Sequence, residues 1–137
     1  MERATAEQVL RRLHAAQERL YSGGDPTEIR DVLTNRVEWH VPGRNAIAGD
    51  YYGIEAVLGY FLRRRDMASG TFRMRPGELM VGDGDHVSVL TDGTAVLAGA
   101  ERRWSTLGLY RIHEERVAAC WLLPLQPNDF DEIWRSA

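Results

Sequence analysis

From Phe72 to Leu125 the chain reads as four strand-length segments joined only by tight turns, so each must pair antiparallel with the next. The segments run Phe72 to Val81, His86 to Leu97, Arg102 to Ile112 and Val117 to Leu125. Gly82-Asp83-Gly84-Asp85 supplies the first turn and Gly99-Ala100-Glu101 the second. Pro124, Pro127 and Asn128-Asp129 then end the sheet, and Phe130 to Trp134 reads as a terminal helical turn. An antiparallel meander of this length needs a cover for one face.

The first half supplies that cover. Thr5 to Tyr21 is amphipathic, with Val9, Leu10, Leu13, Ala16, Gln17 and Leu20 at helical spacing. Thr5 and Gln8 have the spacing of a capping pair, and Ser22-Gly23-Gly24 stops the helix. Asp25-Pro26 opens a short second helix that buries Ile29, Val32 and Leu33. Val37 to Val41 alternates as a short strand ending at Pro42-Gly43, and a loop through Tyr51 and Tyr52 leads to a third helix, Ile54 to Arg65. Helices on one face of a curved antiparallel sheet make an α+β fold, and a strongly twisted sheet can wrap a helix into a cone with one pocket. No repeat or linker interrupts residues 1–137, which therefore read as a single domain.

Composition narrows the partners. The net charge is −3 and no basic stripe is interleaved with aromatics, which argues against nucleic acid. Arg63-Arg64-Arg65 closes the third helix and reads as a solvated helix end. The absence of lysine removes Schiff-base and P-loop chemistry. No apolar run is long enough to span a bilayer, and the first residues lack a secretory core. With a lone Cys120, these features lead to the expectation of a cytoplasmic protein. The four histidines stand far apart, so no metal site and no cofactor are expected.

Trp39-His40-Val41-Pro42-Gly43, Ala48 to Gly53 opening a helix, Leu109-Tyr110-Arg111-Ile112, Val117 to Trp121 and Asp131-Glu132-Ile133-Trp134 together resemble the SnoaL-like branch of the nuclear-transport-factor-two-like, or ketosteroid-isomerase-like, superfamily. The resemblance covers nearly the whole chain. It implies the cone-shaped fold, a pocket for a small apolar or aromatic metabolite, and a homodimer paired through the outer sheet face, where Val87, Val89 and Trp121 are expected. It does not carry over known machinery. Alignment places the isomerases' general base on Trp39, their oxyanion tyrosine on Gln17 and their oxyanion acid on Gly108. The cyclases' aspartate falls at Leu125-Gln126, and the Asp-Arg-Asp set of the epoxide hydrolases meets Trp104-Ser105-Thr106.

Alignment and strand alternation together point Arg102, Trp104, Thr106 and Gly108 into the cavity, and Leu90, Asp92 and Thr94 from the preceding strand. With the turn at Gly99-Ala100-Glu101, Asp92 lies across from Gly108, and a desolvated carboxylate there suits proton transfer. The alternative is that Thr91-Asp92-Gly93-Thr94 is a turn or bulge with Asp92 in solvent. Trp39 and His40 point to opposite faces, and alignment favours Trp39 inside. His40 and Tyr51 join Asp92 as catalytic candidates, while Gln17, Trp39 and Tyr52 join Leu90, Arg102, Trp104, Thr106 and Gly108 as substrate contacts. Two functions stay open. One is a cofactor-independent isomerase, cyclase or hydrolase of a polyketide-, terpenoid- or steroid-like metabolite. The other is a non-catalytic binding or assembly protein that has lost the family's carboxylates.

Overall fold

The computed structural model describes residues 1–135. Its elements are α1 (Arg3–Tyr21), α2 (Thr27–Val32), β1 (Leu33–Val41), β2 (Gly49–Tyr52), α3 (Ile54–Met67), β3 (Arg73–Val81), β4 (His86–Leu97), β5 (Ala100–His113), β6 (Arg116–Pro124) and α4 (Pro127–Ile133). The strands form one sheet in the order β2-β1-β6-β5-β4-β3. β1 runs parallel to β6 and every other neighbouring pair is antiparallel. α1 packs on β3 and α3 on β1 and β2, so the helices cover the inner face, as an α+β cone requires.

The α1 stripe buries Val9, Leu10, Leu13, Ala16, Gln17 and Leu20 as its spacing dictates. The helix begins at Arg3, two residues before Thr5, so Thr5 lies within the first turn and the Thr5–Gln8 capping pair does not form. Asp25 accepts a 2.9 Å hydrogen bond from the Thr27 N–H, but Pro26 and not Asp25 is the N-cap, and α2 begins at Thr27. β1 starts at Leu33, four residues earlier than the alternation suggests. β2, expected to be loop, is a four-residue edge strand. Its largely exposed residues carry no burial alternation for the sequence to display.

The β4–β5 hairpin corrects the expected register. Leu97 pairs with Ala100, so the turn is Ala98-Gly99, with φ of 51° and 79°. Two positive φ values suit a tight hairpin whose twist matches its strands. Asp92 therefore faces Ser105, and Gly108 faces Val89. The shift is three residues, an odd number, and an odd slip turns every β4 side chain to the other face. Val87, Val89, Thr91, Gly93 and Ala95 point inward, while Leu90 and Asp92 are exposed. Val87 and Val89 thus belong to the core and not to a pairing surface. Trp121 does lie on the outer face, stacked on His40 with ring centroids 5.6 Å apart. Met80, Leu90 and Leu123 are exposed, and a second copy seated on this face would cover Leu90 and Leu123.

Candidate functional site

The inside of the cone is dense with aromatic rings. Trp39 lies edge-on to Phe61 at 5.0 Å and to Tyr110 at 6.0 Å. Phe72, Trp104 and Trp134 close the opposite end, with Trp104 edge-on to Trp134 at 5.2 Å. Trp104 fits because it lies over Gly93, where any Cβ would strike its indole. Between these rings a cavity of about 30 Å³ remains, bordered by Gln17, Trp39, Arg64, Thr91, Thr106 and Trp134 among others. A groove of about 520 Å³ runs between α1 and β3, and His14, Phe72 and Met74 border both spaces. A molecule in the groove is one side-chain layer from the interior.

The polar groups of this interior are few and under-satisfied. Among the described residues, the buried polar or charged side chains are Gln17, Arg64, Thr91 and Thr106. Gln17 Oε1, Trp39 Nε1, Arg64 Nε, Thr91 Oγ1 and Trp134 Nε1 have no hydrogen-bond partner among these residues, and all five belong to side chains bordering the one cavity. Leaving a buried polar atom unpaired costs about 1–3 kcal/mol, so their convergence calls for an explanation.

Arg64 overturns the reading of Arg63-Arg64-Arg65 as a solvated helix end. It is 6% exposed and donates a hydrogen bond to the Tyr21 hydroxyl. Its guanidinium lies over the rings of Tyr60 and Phe72, 4.5 and 4.7 Å from their centroids. The cause is helical phase: Val57, Phe61 and Arg64 lie on the buried stripe of α3, while Arg65 turns towards Asp66 and solvent. His14 also comes into view. It follows Leu10 by one turn of α1 and precedes Gln17 by one, and burial drives its pKa from 6.5 down to about 4. The imidazole is therefore neutral at neutral pH.

The residues singled out from the sequence divide into two groups. Gln17, Trp39, Thr106 and Trp104 border the interior cavity. Gly108 is buried on the inner face, where an added Cβ would meet the Tyr110 ring. Leu90, expected inside, is 42% exposed, and Tyr52 is 62% exposed beside His40. Arg102 faces inward opposite Ala95 but does not border the cavity. Asp92 accepts a 2.5 Å hydrogen bond from the Ser105 hydroxyl on the outer face, so the register change removes it from the interior. His40 lies outside too, its Nδ1 2.7 Å from Asp50 Oδ1 and its Nε2 3.4 Å from Glu38 Oε1. Partial burial works against its protonated form, yet hydrogen bonds and charge from the two carboxylates prevail and raise its pKa. Tyr51 is tethered, its hydroxyl donating to the Ile47 carbonyl at 2.7 Å. Asp92, His40 and Tyr51 do not come together.

A family model described as SnoaL-like domain matches residues 10–120. No curated protein matches the sequence. Among solved structures, Bal32a from a soil-derived mobile gene cassette superposes with a TM-score of 0.84 at 26% identity, covering 96% of this chain and 99% of that one. An NTF2-like protein of unknown function from Burkholderia pseudomallei has a TM-score of 0.81 at 16% identity, covering 99% and 100%. TerC, co-crystallised with polyporic acid, has a TM-score of 0.74 at 17% identity, covering 93% and 98%.

Proposed function

We propose, from the premise that this chain belongs to the SnoaL-like domain family, that it binds a small, flat, mostly apolar molecule inside the cone and moves a proton on it, as an isomerase does. One observation carries the reading: of six buried polar atoms without a partner among the described residues, five belong to side chains that border one aromatic-walled space. Walls of that kind gain affinity by burying a planar ligand, and a few polar groups fix its orientation. Entry is through the groove between α1 and β3, with the side chains of Phe72 and Met74 giving way. That a protein of the same fold has been crystallised with polyporic acid is consistent with a planar organic ligand.

The chemistry falls to His14, the only imidazole or carboxylate bordering the cavity among the described residues. Being neutral, its ring can take a proton from a carbon next to a ligand carbonyl. The C–H electron pair becomes the π bond of an enolate, and the imidazolium returns its proton to a different carbon. The Thr91 hydroxyl and the Trp39 and Trp134 indole N–H groups are unpaired donors for the oxygen that gains charge.

The test is deuterium exchange at the α-carbons of 2-tetralone, a planar ketone, in D₂O, followed by NMR with thermal shift as the binding readout. The wild type is expected to stabilise with the ketone and to speed exchange, and His14→Gln to keep the binding while losing about 100-fold in exchange rate. Equal exchange by both proteins would remove His14 from the chemistry. Binding without faster exchange in the wild type would favour the second reading, a binding protein without a reaction. That reading draws on the lack of any carboxylate around the cavity among the described residues.

A further inference from the structure

Arg64 holds a full positive charge inside the cone, and no carboxylate of the described residues lies against it. Among the described residues no aspartate or glutamate is buried, and Arg64 makes no salt bridge. Its surroundings are rings: Tyr21, Tyr60, Phe61 and Phe72 all have centroids within 5.5 Å of the guanidinium carbon. Cation–π contacts and the Tyr21 hydroxyl satisfy part of its donor fork, but the Nε–H faces no acceptor. A guanidinium cannot shed its proton to escape burial, so the desolvation cost stands in the folded protein. A well-packed apolar side chain of similar length would avoid that cost. The arginine is thus better explained by something it binds than by stability, because strained or costly groups gather where a ligand completes them.

Building on the proposed pocket, we infer that the ligand carries an oxyanion, a carboxylate or an enolate-type oxygen, and that Arg64 is the residue that receives it. Arg64 borders the interior cavity together with Thr91, whose hydroxyl is also buried without a partner. Thr91 supplies a hydroxyl donor, so an oxyanion there meets a charge and a neutral donor together. His14, neutral at neutral pH, adds no competing positive charge. The apolar body of the ligand then extends past Trp104 and Phe72 towards the groove. Ligands of the same shape without the charge leave the guanidinium unpaired and are disfavoured.

The experiment pairs 2-naphthoate with 2-naphthamide, nearly the same shape with and without the charge, by calorimetric titration against the wild type and Arg64→Met. The expected result is that 2-naphthoate binds the wild type at least about 100-fold more tightly than 2-naphthamide. Arg64→Met is expected to erase that preference and to melt no lower than the wild type, since a buried charge has been exchanged for an apolar chain. Equal binding of both probes by the wild type, or a preference that survives in Arg64→Met, would overturn the oxyanion assignment while leaving the pocket standing. A Tm well below wild type in Arg64→Met, with the preference already absent from the wild type, would make Arg64 a structural residue. No binding of either probe would remove the pocket reading and this inference with it. Arg64→Lys keeps the charge but not the fork, and partial recovery of the preference is expected of it.

Discussion

Trp39→Ala is expected to cost about 3–5 kcal/mol of unfolding free energy, the range for truncating a large buried aromatic. The side chain is 2% exposed and touches rings from α3 and β5 at once: Tyr60, Phe61 and Tyr110. Tyr60 is itself packed on Tyr51 and Phe61, with ring centroids 4.8 and 5.6 Å apart, which limits its collapse into the space. Since a domain of this kind is held by only about 5–15 kcal/mol in total, the variant should unfold at markedly lower urea. Trp121→Ala is the control. Its ring lies outside the cone against His40 and His86, so the loss should be much smaller. Similar losses for the two variants would mean that Trp39 does not centre the core.

Stability should also fall steeply below neutral pH, and His14 should be the main cause. Its pKa is depressed in the folded state, to about 4 against 6.5 when unfolded. Between those values the unfolded chain binds a proton that the folded chain refuses, so stability rises with pH across the window and is lost as pH falls from 6.5 to 4. The loss attributable to this one group is on the order of 3 kcal/mol. His40 works in the opposite sense. Its raised pKa gives stability that is complete below 6.5 and lost as pH rises through the folded value, so it adds nothing to the acid loss. Urea unfolding at pH 6.5 and pH 4.5 measures the difference, and His14→Phe should flatten it. An unchanged acid loss in that variant would show that His14 is solvated in the folded state.

The cone itself was legible in the sequence because its helices and meander obey simple periods. Apolar residues recur at helical spacing in α1 and α3, and β4, β5 and β6 lie within a residue or two of their expected limits. The site was less legible, and the reason is parity. A β strand alternates with period two, so misplacing one hairpin turn by an odd number inverts a whole strand. Moving the turn from Gly99-Ala100-Glu101 to Ala98-Gly99 took Asp92 out of the cone and brought Thr91 and Gly93 in. Positions on β5 kept their face, which is why Trp104, Thr106 and Gly108 lie inside as expected.

Arg64 was missed for a different reason. A run of three arginines at a helix end reads as solvent-facing by composition, whereas helical phase puts the middle one, seven residues after Val57 and three after Phe61, on the buried stripe. The same phase, applied to α1, would have set His14 beside Leu10 and Gln17. β2 offered no signal at all, since an exposed four-residue edge strand is made by its partner and not by its own pattern.

A ligand bound inside the cone touches some of the chain's indoles and not others. Four tryptophans report on it: Trp39, Trp104 and Trp134 border the interior cavity, and Trp121 lies on the outer sheet face. The direct measurement is therefore the indole N–H region of a ¹⁵N–¹H correlation spectrum during titration with 2-naphthoate. Binding inside the cone should move the signals of Trp39, Trp104 and Trp134 together to saturation while that of Trp121 stays in place. Movement of Trp121 alone, or of none of the four at saturating probe, would contradict it.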